Sequence, residues 1–258
     1  MNEIINKIIN IDYERVKNDI VSFLRYEAES NNKIFILGLS GGIDSSVVLK
    51  LASFTKIGIV SLIMPYTKVT PKEDVEDAIE LATDCSVEYH IIELDNIYEK
   101  ILDTLPTNKY AAGNLLARLR MALLYYYANL KNGMVLGTSD RSEILIGYFT
   151  KYGDGASDLL PIASLYKLQV RRLAEYLNIK DEIIKKKSSP RLWEDHMAET
   201  ELGLGYEEID SILYCIFDLK MDISRVKSIF DATKVDKVIE LHRRANHKRI
   251  MPKICIIK

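Results

Sequence analysis

The chain has 258 residues, of which 48% are hydrophobic and 28% are charged, and this composition excludes an intrinsically disordered chain. The length suits one α/β domain over residues 1–258. Because the formal net charge is only -2, the molecule has no overall field that would hold nucleic acid or an anionic membrane, and any anion site must be local.

The first half of the chain alternates predicted helices and strands. An amphipathic helix is predicted over residues 12–30, because apolar side chains recur there at helical spacing. Four apolar runs of strand length follow, at residues 34–39, 57–64, 87–94 and 134–137. Helix-length segments lie between them, at residues 44–53, 71–83 and 114–130. This alternation predicts a parallel sheet with right-handed crossovers.

The second half has a different pattern. A weak fifth strand is predicted at residues 159–162, and the helices beyond it at residues 165–177, 206–219 and 235–244. The fold class expected is therefore α/β: a Rossmann-like, doubly wound parallel sheet of about five strands, with helices on both faces and a mainly helical C-terminal part.

The cysteines and the N-terminus indicate in which cellular compartment the protein is expected. Cys85, Cys215 and Cys255 are widely spaced and form no CxxC or Cys/His ligand pattern, which argues against a disulfide framework or a zinc site. No segment is long enough for a bilayer span, and residues 1–10 lack the features of a signal peptide. We therefore expect a cytoplasmic protein.

A glycine-rich loop directly follows the first predicted strand and leads into a helix. Its residues are Gly38, Leu39, Ser40, Gly41, Gly42, Ile43, Asp44 and Ser45. Glycines at a strand's C-terminal end let the backbone approach a phosphate closely, and the next helix N-terminus offers free N–H groups. The lysine of a Walker A loop is absent. The alternative is a tight turn before a capped helix, with no ligand.

Asp44 stands within this loop, where it would repel a polyphosphate at contact distance. A divalent cation between the two anions removes the conflict, and oxygen ligands suit Mg²⁺. The loop therefore predicts phosphate binding with magnesium.

The sequence Ser40-Gly41-Gly42-Ile43-Asp44-Ser45 resembles the SGGxDS loop of the ATP pyrophosphatase superfamily. In that superfamily the loop binds the β- and γ-phosphates of ATP, and AMP is transferred to the substrate. The resemblance does not choose the substrate, because the superfamily also includes GMP, argininosuccinate and asparagine synthetases and tRNA-modifying enzymes.

Residues 147–158, GYFTKYGDGASD, are similar to a motif of the ammonia-dependent NAD synthetases. The resemblance implies that Lys151 and Asp158 contact deamido-NAD. Residues 114–121, NLLARLRM, are similar to a helix of the same family and imply that Arg118 contacts this substrate. Without the family, Arg118 would be read as a solvent-facing arginine and residues 147–158 as a surface loop.

Other motifs of this sequence also match the family, and the match implies a role for individual residues. In residues 137–143, GTSDRSE, the resemblance implies that Thr138 contacts ATP and that Glu143 joins Asp44 as a magnesium ligand. By itself Glu143 would equally be a first-turn acid compensating a helix dipole. Lys167 matches the family's ATP-phosphate lysine, and His247 and Lys248 match its deamido-NAD contacts.

The segment at residues 188–203 departs from the family pattern. Ser189 aligns with the family's ATP-contacting Ser or Thr, but Pro190 and Arg191 are unusual neighbours. Because proline restricts the residue before it to extended geometry, the path of this loop is left open. Trp193 is either a packing anchor or a platform on which a base stacks.

The family resemblance implies a ligase that amidates deamido-NAD to NAD through an adenylylated nicotinate carboxylate, releasing AMP and pyrophosphate. ATP is the co-substrate, Mg²⁺ the cofactor and ammonia the nitrogen source. The resemblance also implies a homodimer, with neither nucleic acid nor membrane as partner. Asp44, Glu143, Lys167 and Asp158 are the expected catalytic residues, with Asp158 a candidate acceptor of a proton from ammonium.

Three alternatives stay open at this stage. A GMP synthetase subunit would use the same phosphate loop. A tRNA-modifying enzyme would require a basic face, which the net charge does not favour. A regulatory module would bind ATP without releasing AMP or pyrophosphate.

Overall fold

The structure is a computed structural model and describes residues 1–257. Its strands are β1 (Ile34–Gly38), β2 (Ile59–Ile63), β3 (Glu88–Ile91) and β4 (Gly133–Leu136). The helices of the sheet region are α1 (Asn2–Ile9), α2 (Tyr13–Asn31), α3 (Ile43–Ser53), α4 (Lys72–Asp84), α5 (Asp95–Leu102), α6 (Lys109–Lys131) and α7 (Arg141–Ile146). Later helices are α8 (Lys167–Tyr176), α9 (Asp181–Lys185), α10 (Ala198–Leu202), α11 (Tyr206–Phe217), α12 (Ile223–Ile229), α13 (Ala232–Arg244) and α14 (Asn246–Arg249).

The four strands are parallel and lie in the order β3-β2-β1-β4. Alternate residues of β1 enter two different cores, since successive side chains of a strand point to opposite faces. Phe35 and Leu37 pack with α2, α3 and α8, whereas Ile36 packs with Leu116 and Ala128 of α6. The predicted doubly wound sheet with helices on both faces is therefore confirmed.

The predicted fifth strand is wrong. Only Leu159 pairs with the sheet, through an isolated parallel bridge to Leu136. Pro161 follows closely and has no backbone N–H to continue a ladder, so the segment leaves the sheet after one bridge. The sheet consequently has four strands rather than about five.

The C-terminal part is helical, as predicted, and has a core of its own. That core joins Ile8 of α1 and Ile146 of α7 to apolar residues of α11, α12 and α13. The sequence did not predict α1, whose Ile8 is fully buried. In residues 1–257 no helix is both long and apolar enough to cross a membrane.

A buried carboxylate, Asp210 of α11, joins this helical part to α7 and α8. It accepts hydrogen bonds from the Ser142 hydroxyl and from the backbone N–H of Leu168 at 2.9 Å, and the residue is fully buried. Burial, with a smaller contribution from Asp140, raises the pKa of Asp210 to about 7 from an ordinary 3.8.

We predict that Asp210 makes the free energy of unfolding depend on pH. Because its pKa is raised in the folded state, its contribution to stability is present below pH 4 and is lost as pH rises through 7. Between pH 4 and 8, Asp210→Asn should therefore gain stability relative to the wild type by up to about 4 kcal/mol. Urea denaturation of both proteins at several pH values measures this, and a difference that does not vary with pH would contradict it.

Candidate active site

The phosphate loop runs from the end of β1 into α3 and is held by its own polar groups. Gly41 has φ +73, a conformation that favours glycine. The hydroxyls of Ser40 and Ser45 lie 3.0 Å apart, and Ser45 donates to the Gly42 carbonyl at 3.1 Å. No side chain caps the N-terminus of α3 at Gly42. The first N–H groups of α3 are therefore available to an anion.

Three carboxylates converge on one buried ammonium next to this loop. Lys167 Nζ lies 2.7 Å from Asp44, 3.0 Å from Asp140 and 2.9 Å from Glu143. The side chains of Lys167 and Asp140 are fully buried, whereas those of Asp44 and Glu143 are 22% and 17% exposed. Asp44 and Glu143, which are 99 positions apart in the sequence, thus meet at one point.

The order of the elements explains this meeting. Asp44 starts α3 after β1, and Glu143 lies in α7 after β4, which is the neighbouring strand. Parallel neighbours end at the same edge of a sheet. Asp140 caps α7 by accepting from the Glu143 N–H at 2.8 Å, while Glu143 accepts from the Asp140 N–H at 3.3 Å. This capping box fixes both carboxylates of α7.

The cluster has an excess of negative charge. Burial raises the pKa of Glu143 well above its ordinary value, and Lys167 only partly opposes this. Burial also raises the pKa of Asp140. For Lys167, burial lowers the pKa, but the three carboxylates outweigh it and hold the pKa well above the ordinary value. When all four groups are ionised the cluster carries a charge of about −2, which suits a divalent cation.

A cavity of about 430 Å³ opens above the loop and the cluster. Among the residues expected to bind ATP or substrate, those that line it are Gly38, Leu39, Ser40, Gly42, Ile43, Asp44, Ser45, Thr138, Glu143, Ser189 and Lys248. Gly41 and Lys167 lie behind this lining. The volume falls in the range of small-molecule sites.

The residues expected to contact deamido-NAD lie mostly beside the cavity. Arg118 donates to the carbonyl of Lys151 at 3.3 and 3.2 Å, and Lys151 Nζ donates to the carbonyl of His247 at 2.6 Å. Lys248 Nζ donates to the carbonyls of Gly147 and Phe149, at 2.7 Å each. These cations bring the C-terminal α14 against the loop at residues 147–155.

Asp158 lies away from the cavity lining, at β4. One carboxylate oxygen accepts from the Val135 N–H at 2.7 Å and the other from the Tyr125 hydroxyl at 3.3 Å. The side chain is exposed. Within one chain, therefore, the structure does not bring Asp158 together with Asp44, Glu143 and Lys167.

The segment at residues 186–197 covers one side of the cavity. Lys186 Nζ contacts Asp74 at 2.7 Å, and Arg191 contacts the other oxygen of Asp74 at 3.0 Å. The Ser189 hydroxyl donates to the carbonyl of His196. Because Asp74 lies in the first turn of α4, these two ion pairs attach the covering segment to that helix.

Trp193 acts as a packing anchor in this segment. Its ring stacks on His196 with 3.4 Å between centroids and packs edge-on against Tyr110 at 5.3 Å. It also lies over Gly113 of α6, where an added Cβ would come within 3.1 Å of the indole. The same ring also lines the cavity.

Residues 16–252 match the protein family described as NAD synthase. The NH(3)-dependent NAD(+) synthetase of Staphylothermus marinus is 47% identical over 264 residues, covering 97% of this chain and 94% of the relative. The chain belongs to the NAD synthase family. The predicted resemblance, and with it the prediction of a ligase, is confirmed.

Two solved structures of similar proteins agree with this membership. A structure of NMN synthetase from Francisella tularensis is 34% identical, with a TM-score of 0.86, and the match covers 96% of this chain and 100% of that one. An NH3-dependent NAD synthetase from Campylobacter jejuni, in complex with the nitrate ion, is 33% identical, with a TM-score of 0.83 and coverage of 95% and 100%. Both confirm the expected fold class.

Sequence reasoning missed two charged residues of this NAD synthase site. Asp140 had a signal, because an Asp followed three positions later by Glu is a capping box before a helix. Arg120 is the second arginine of the motif at residues 114–121 and lines the cavity. Its Nε donates to the Met64 carbonyl at 3.3 Å, and burial lowers its pKa to about 10.

Proposed function

We propose that this chain converts deamido-NAD to NAD with ATP and ammonia, through an adenylylated nicotinate carboxylate. The amidation of deamido-NAD by ATP is the reaction of the NAD synthase family, to which the chain belongs. The observation that carries the proposal is the meeting of Asp44, Glu143 and Lys167 beside the phosphate loop. A carboxylate is inert to ammonia, so it must first be activated, and this cluster lies where ATP would supply the activation.

The phosphate loop and Lys167 would stabilise the pyrophosphate that leaves. The free N–H groups at the start of α3, together with the hydroxyls of Ser40 and Ser45, can donate to the β- and γ-phosphates. Lys167 lies behind the cavity lining with its ammonium held by three carboxylates, so it would have to leave Asp44 or Glu143 before it could donate to a phosphate. Thr138 and Ser189 would complete the ATP contacts from the cavity wall.

The proposal places a magnesium ion at Asp44 and Glu143. Asp44 and Glu143 are partly exposed carboxylates, and Mg²⁺ is commonly bound by one or two carboxylates together with substrate phosphates. The Oδ2 atom of Asp140 lies 3.0 Å from the Lys167 ammonium, so this buried carboxylate is paired with Lys167 and leaves Asp44 and Glu143 as the carboxylates for the ion. When bound there, the ion would neutralise charge on the phosphates of ATP.

The proposal includes the deamido-NAD contacts that the family resemblance implies. Arg118, Lys151 and Lys248 supply positive charge at or beside the cavity, as a substrate with phosphates requires, and His247 precedes Lys248 in α14. Asp158, at β4, could accept hydrogen bonds from ribose hydroxyls. Because Arg118, Lys151, Asp158 and His247 lie outside the cavity lining, the proposal includes a second subunit that completes their site. Light scattering of the purified chain tests the homodimer.

The proposal also covers the domain organisation and the cellular location of the protein. A single domain over residues 1–258 is supported by the family match, which runs through residues 16–252. A cytoplasmic location is supported by the free state of Cys85, Cys215 and Cys255.

We expect the purified chain to form NAD and AMP in equal amounts from deamido-NAD, ATP, Mg²⁺ and ammonium, because adenylylation and amidation are stoichiometrically linked. Chromatographic product analysis measures both, and EDTA should abolish both. AMP release without NAD, or a strict requirement for glutamine, would contradict the proposal.

The acid form of NMN deserves a parallel assay, because one similar structure is that of an NMN synthetase. A preference for this mononucleotide over deamido-NAD would leave the adenylylation chemistry intact and change only the substrate. The curated relatives, which carry the name NAD(+) synthetase, favour the dinucleotide. Comparison of kcat/KM for the two acids decides between them.

A further inference from the structure

Arg191 is a cation of the cavity wall whose hydrogen-bond donors are only partly used. Its Nε donates to Asp74 Oδ2 at 3.0 Å. The terminal nitrogens Nη1 and Nη2 make no hydrogen bond with residues 1–257, and neither of them is buried. The side chain lines the cavity and is 28% exposed. A guanidinium that is fixed at one edge and free at the other can bind an anion through two N–H groups.

The carboxylate that holds Arg191 belongs to a residue that packs directly against the phosphate loop. A Cβ added to Gly41 would come within 2.0 Å of the Asp74 carbonyl oxygen, so the backbones of these two residues are in contact. Lys186, which also contacts Asp74, donates to the Gly41 carbonyl at 3.2 Å. The Arg191 guanidinium is therefore held next to the loop that we propose for the β- and γ-phosphates of ATP.

The covering segment that carries Arg191 is attached on both sides of this residue. The ion pairs with Asp74 hold the first part of the segment to α4. At the other end, His196 Nε2 lies 2.7 Å from Glu201 Oε2, and the Tyr148 hydroxyl donates to the same oxygen at 2.9 Å. All three of these side chains line the cavity. Arg191 is thus positioned before a ligand arrives, which lowers the cost of using its charge.

The backbone at Arg191 is in the left-handed region. Its φ is +49, an uncommon conformation for a residue that has a Cβ, and Pro190 precedes it. Glycine would adopt this conformation without the steric cost. The contacts of the Arg191 side chain must therefore offset the strain, and the ion pair with Asp74 is one of them. Contacts with a bound anion would add to it.

A free cation beside the phosphate loop is what the site otherwise lacks. The lysine of a Walker A loop is absent, and Lys167 is held by three carboxylates. Lys186 is bound to two carboxylates and a carbonyl. Arg120 lies on α6, where its Nε donates to the carbonyl of Met64. A triphosphate carries more negative charge than one Mg²⁺ neutralises, so a further cation at the loop would stabilise it.

We propose that Arg191 binds the β- and γ-phosphates of ATP from the covering segment and stabilises the pyrophosphate as it leaves. This inference rests on the proposed function and adds a residue to its adenylylation step, at a place where the sequence departs from the family pattern. Nη1 and Nη2 would donate to phosphate oxygens while Nε keeps its hydrogen bond to Asp74. No bond forms or breaks at Arg191, which only neutralises the charge that appears on the pyrophosphate. Deamido-NAD also carries phosphates, and the test separates the two sources.

ATP and AMP differ in the two phosphates that Arg191 would contact. We expect Arg191→Gln to weaken ATP binding by about tenfold or more, because hydrogen bonds to a charged group are lost. The inhibition constant of AMP and the KM for deamido-NAD should change by less than about twofold, since neither ligand uses this contact. Arg191→Lys keeps the charge and can keep the ion pair, but it lacks the two parallel donors and should weaken ATP binding by about threefold or more. Isothermal titration and inhibition kinetics measure these constants.

Two control variants test whether the effect belongs to this guanidinium. Arg171 is 31% exposed, pairs with Glu199 at 3.8 Å and lies outside the cavity lining, so Arg171→Gln should bind ATP and AMP like the wild type. Lys187 lies in the covering segment and lines the cavity, but it is exposed and no contact with residues 1–257 fixes its ammonium. Lys187→Gln should therefore weaken ATP binding by less than about threefold.

Equal losses of ATP and AMP binding in Arg191→Gln would overturn the inference and would assign Arg191 to the cavity wall alone. A loss confined to deamido-NAD would overturn it as well, because the guanidinium would then lie on the dinucleotide. If urea denaturation shows that Arg191→Gln is unfolded, the same comparison is made with Arg191→Lys. Failure of the wild type to bind ATP would instead contradict the proposed function itself, so the two failures are distinguishable.

Discussion

Lys167→Met should lower NAD formation by about a thousandfold or more, the largest effect that we expect from one side chain. Its ammonium is the only cation within 3.0 Å of the three carboxylates, among the contacts of residues 1–257. Removing it takes away positive charge where negative charge develops on the leaving pyrophosphate. It also leaves uncompensated carboxylates, so the free energy of unfolding should fall by about 3–5 kcal/mol. Steady-state kinetics and urea denaturation measure the two effects.

A second variant shows whether activity is lost because the cluster is altered or only because the protein unfolds. Glu143→Gln keeps the shape and the acceptor of the capping box but removes one negative charge. Because burial already raises the pKa of Glu143, we expect the Glu143→Gln variant to be as stable as the wild type or more stable, while its activity is lost. Lys72→Met is the control for lysine removal, since Lys72 is 86% exposed and pairs with the exposed Glu76. Wild-type activity in Lys167→Met would contradict the role proposed for the cluster.

Gly41→Ala should abolish ATP binding and lower the free energy of unfolding by about 3 kcal/mol or more. The backbone at Gly41 has φ +73, and a Cβ there would lie 2.0 Å from the carbonyl oxygen of Asp74. Since that neighbour is backbone, either the phosphate loop or the start of α4 must move. The same movement would displace Lys186, which contacts both Gly41 and Asp74.

Isothermal titration with ATP and urea denaturation test this second prediction. Gly205→Ala is its matched control, because Gly205 has φ -78 and nothing lies within 4 Å of an added Cβ. Because Gly205 is the N-cap of α11, where glycine is preferred to alanine, that substitution should lower stability by no more than about 1 kcal/mol. Tight ATP binding by Gly41→Ala would show that the loop conformation is not required.

The local sequence was sufficient to place a site residue where its motif directly follows a strand or begins a helix. The glycines and serines at residues 38–45 follow a strand and precede a helix, so their place at the C-terminal edge of the sheet could be predicted. Glu143 reached the same place because β4 is the neighbour of β1. Pro161 was equally visible, and its missing N–H was the signal that the fifth strand would fail.

The sequence could not indicate the contacts of the segment at residues 186–197. His196 and Trp193 belong to no periodic pattern, and their positions depend on Asp74, Gly113 and Glu201, which lie elsewhere in the chain. Asp158 shows the converse case. It belongs to a motif that identified the family, yet in one chain its carboxylate binds the backbone of β4 rather than the cavity.

The sequence by itself determined the family, the phosphate loop and the parallel sheet, because each rests on residues adjacent in the chain or on periodicity within one element. Only the tertiary structure decided that Asp140 joins Asp44 and Glu143 around Lys167, and that Tyr148, His196 and Glu201 meet on the cavity wall. Such meetings depend on how helices pack over the sheet edge. Packing is set by the sum of many apolar contacts, and no short motif encodes that sum.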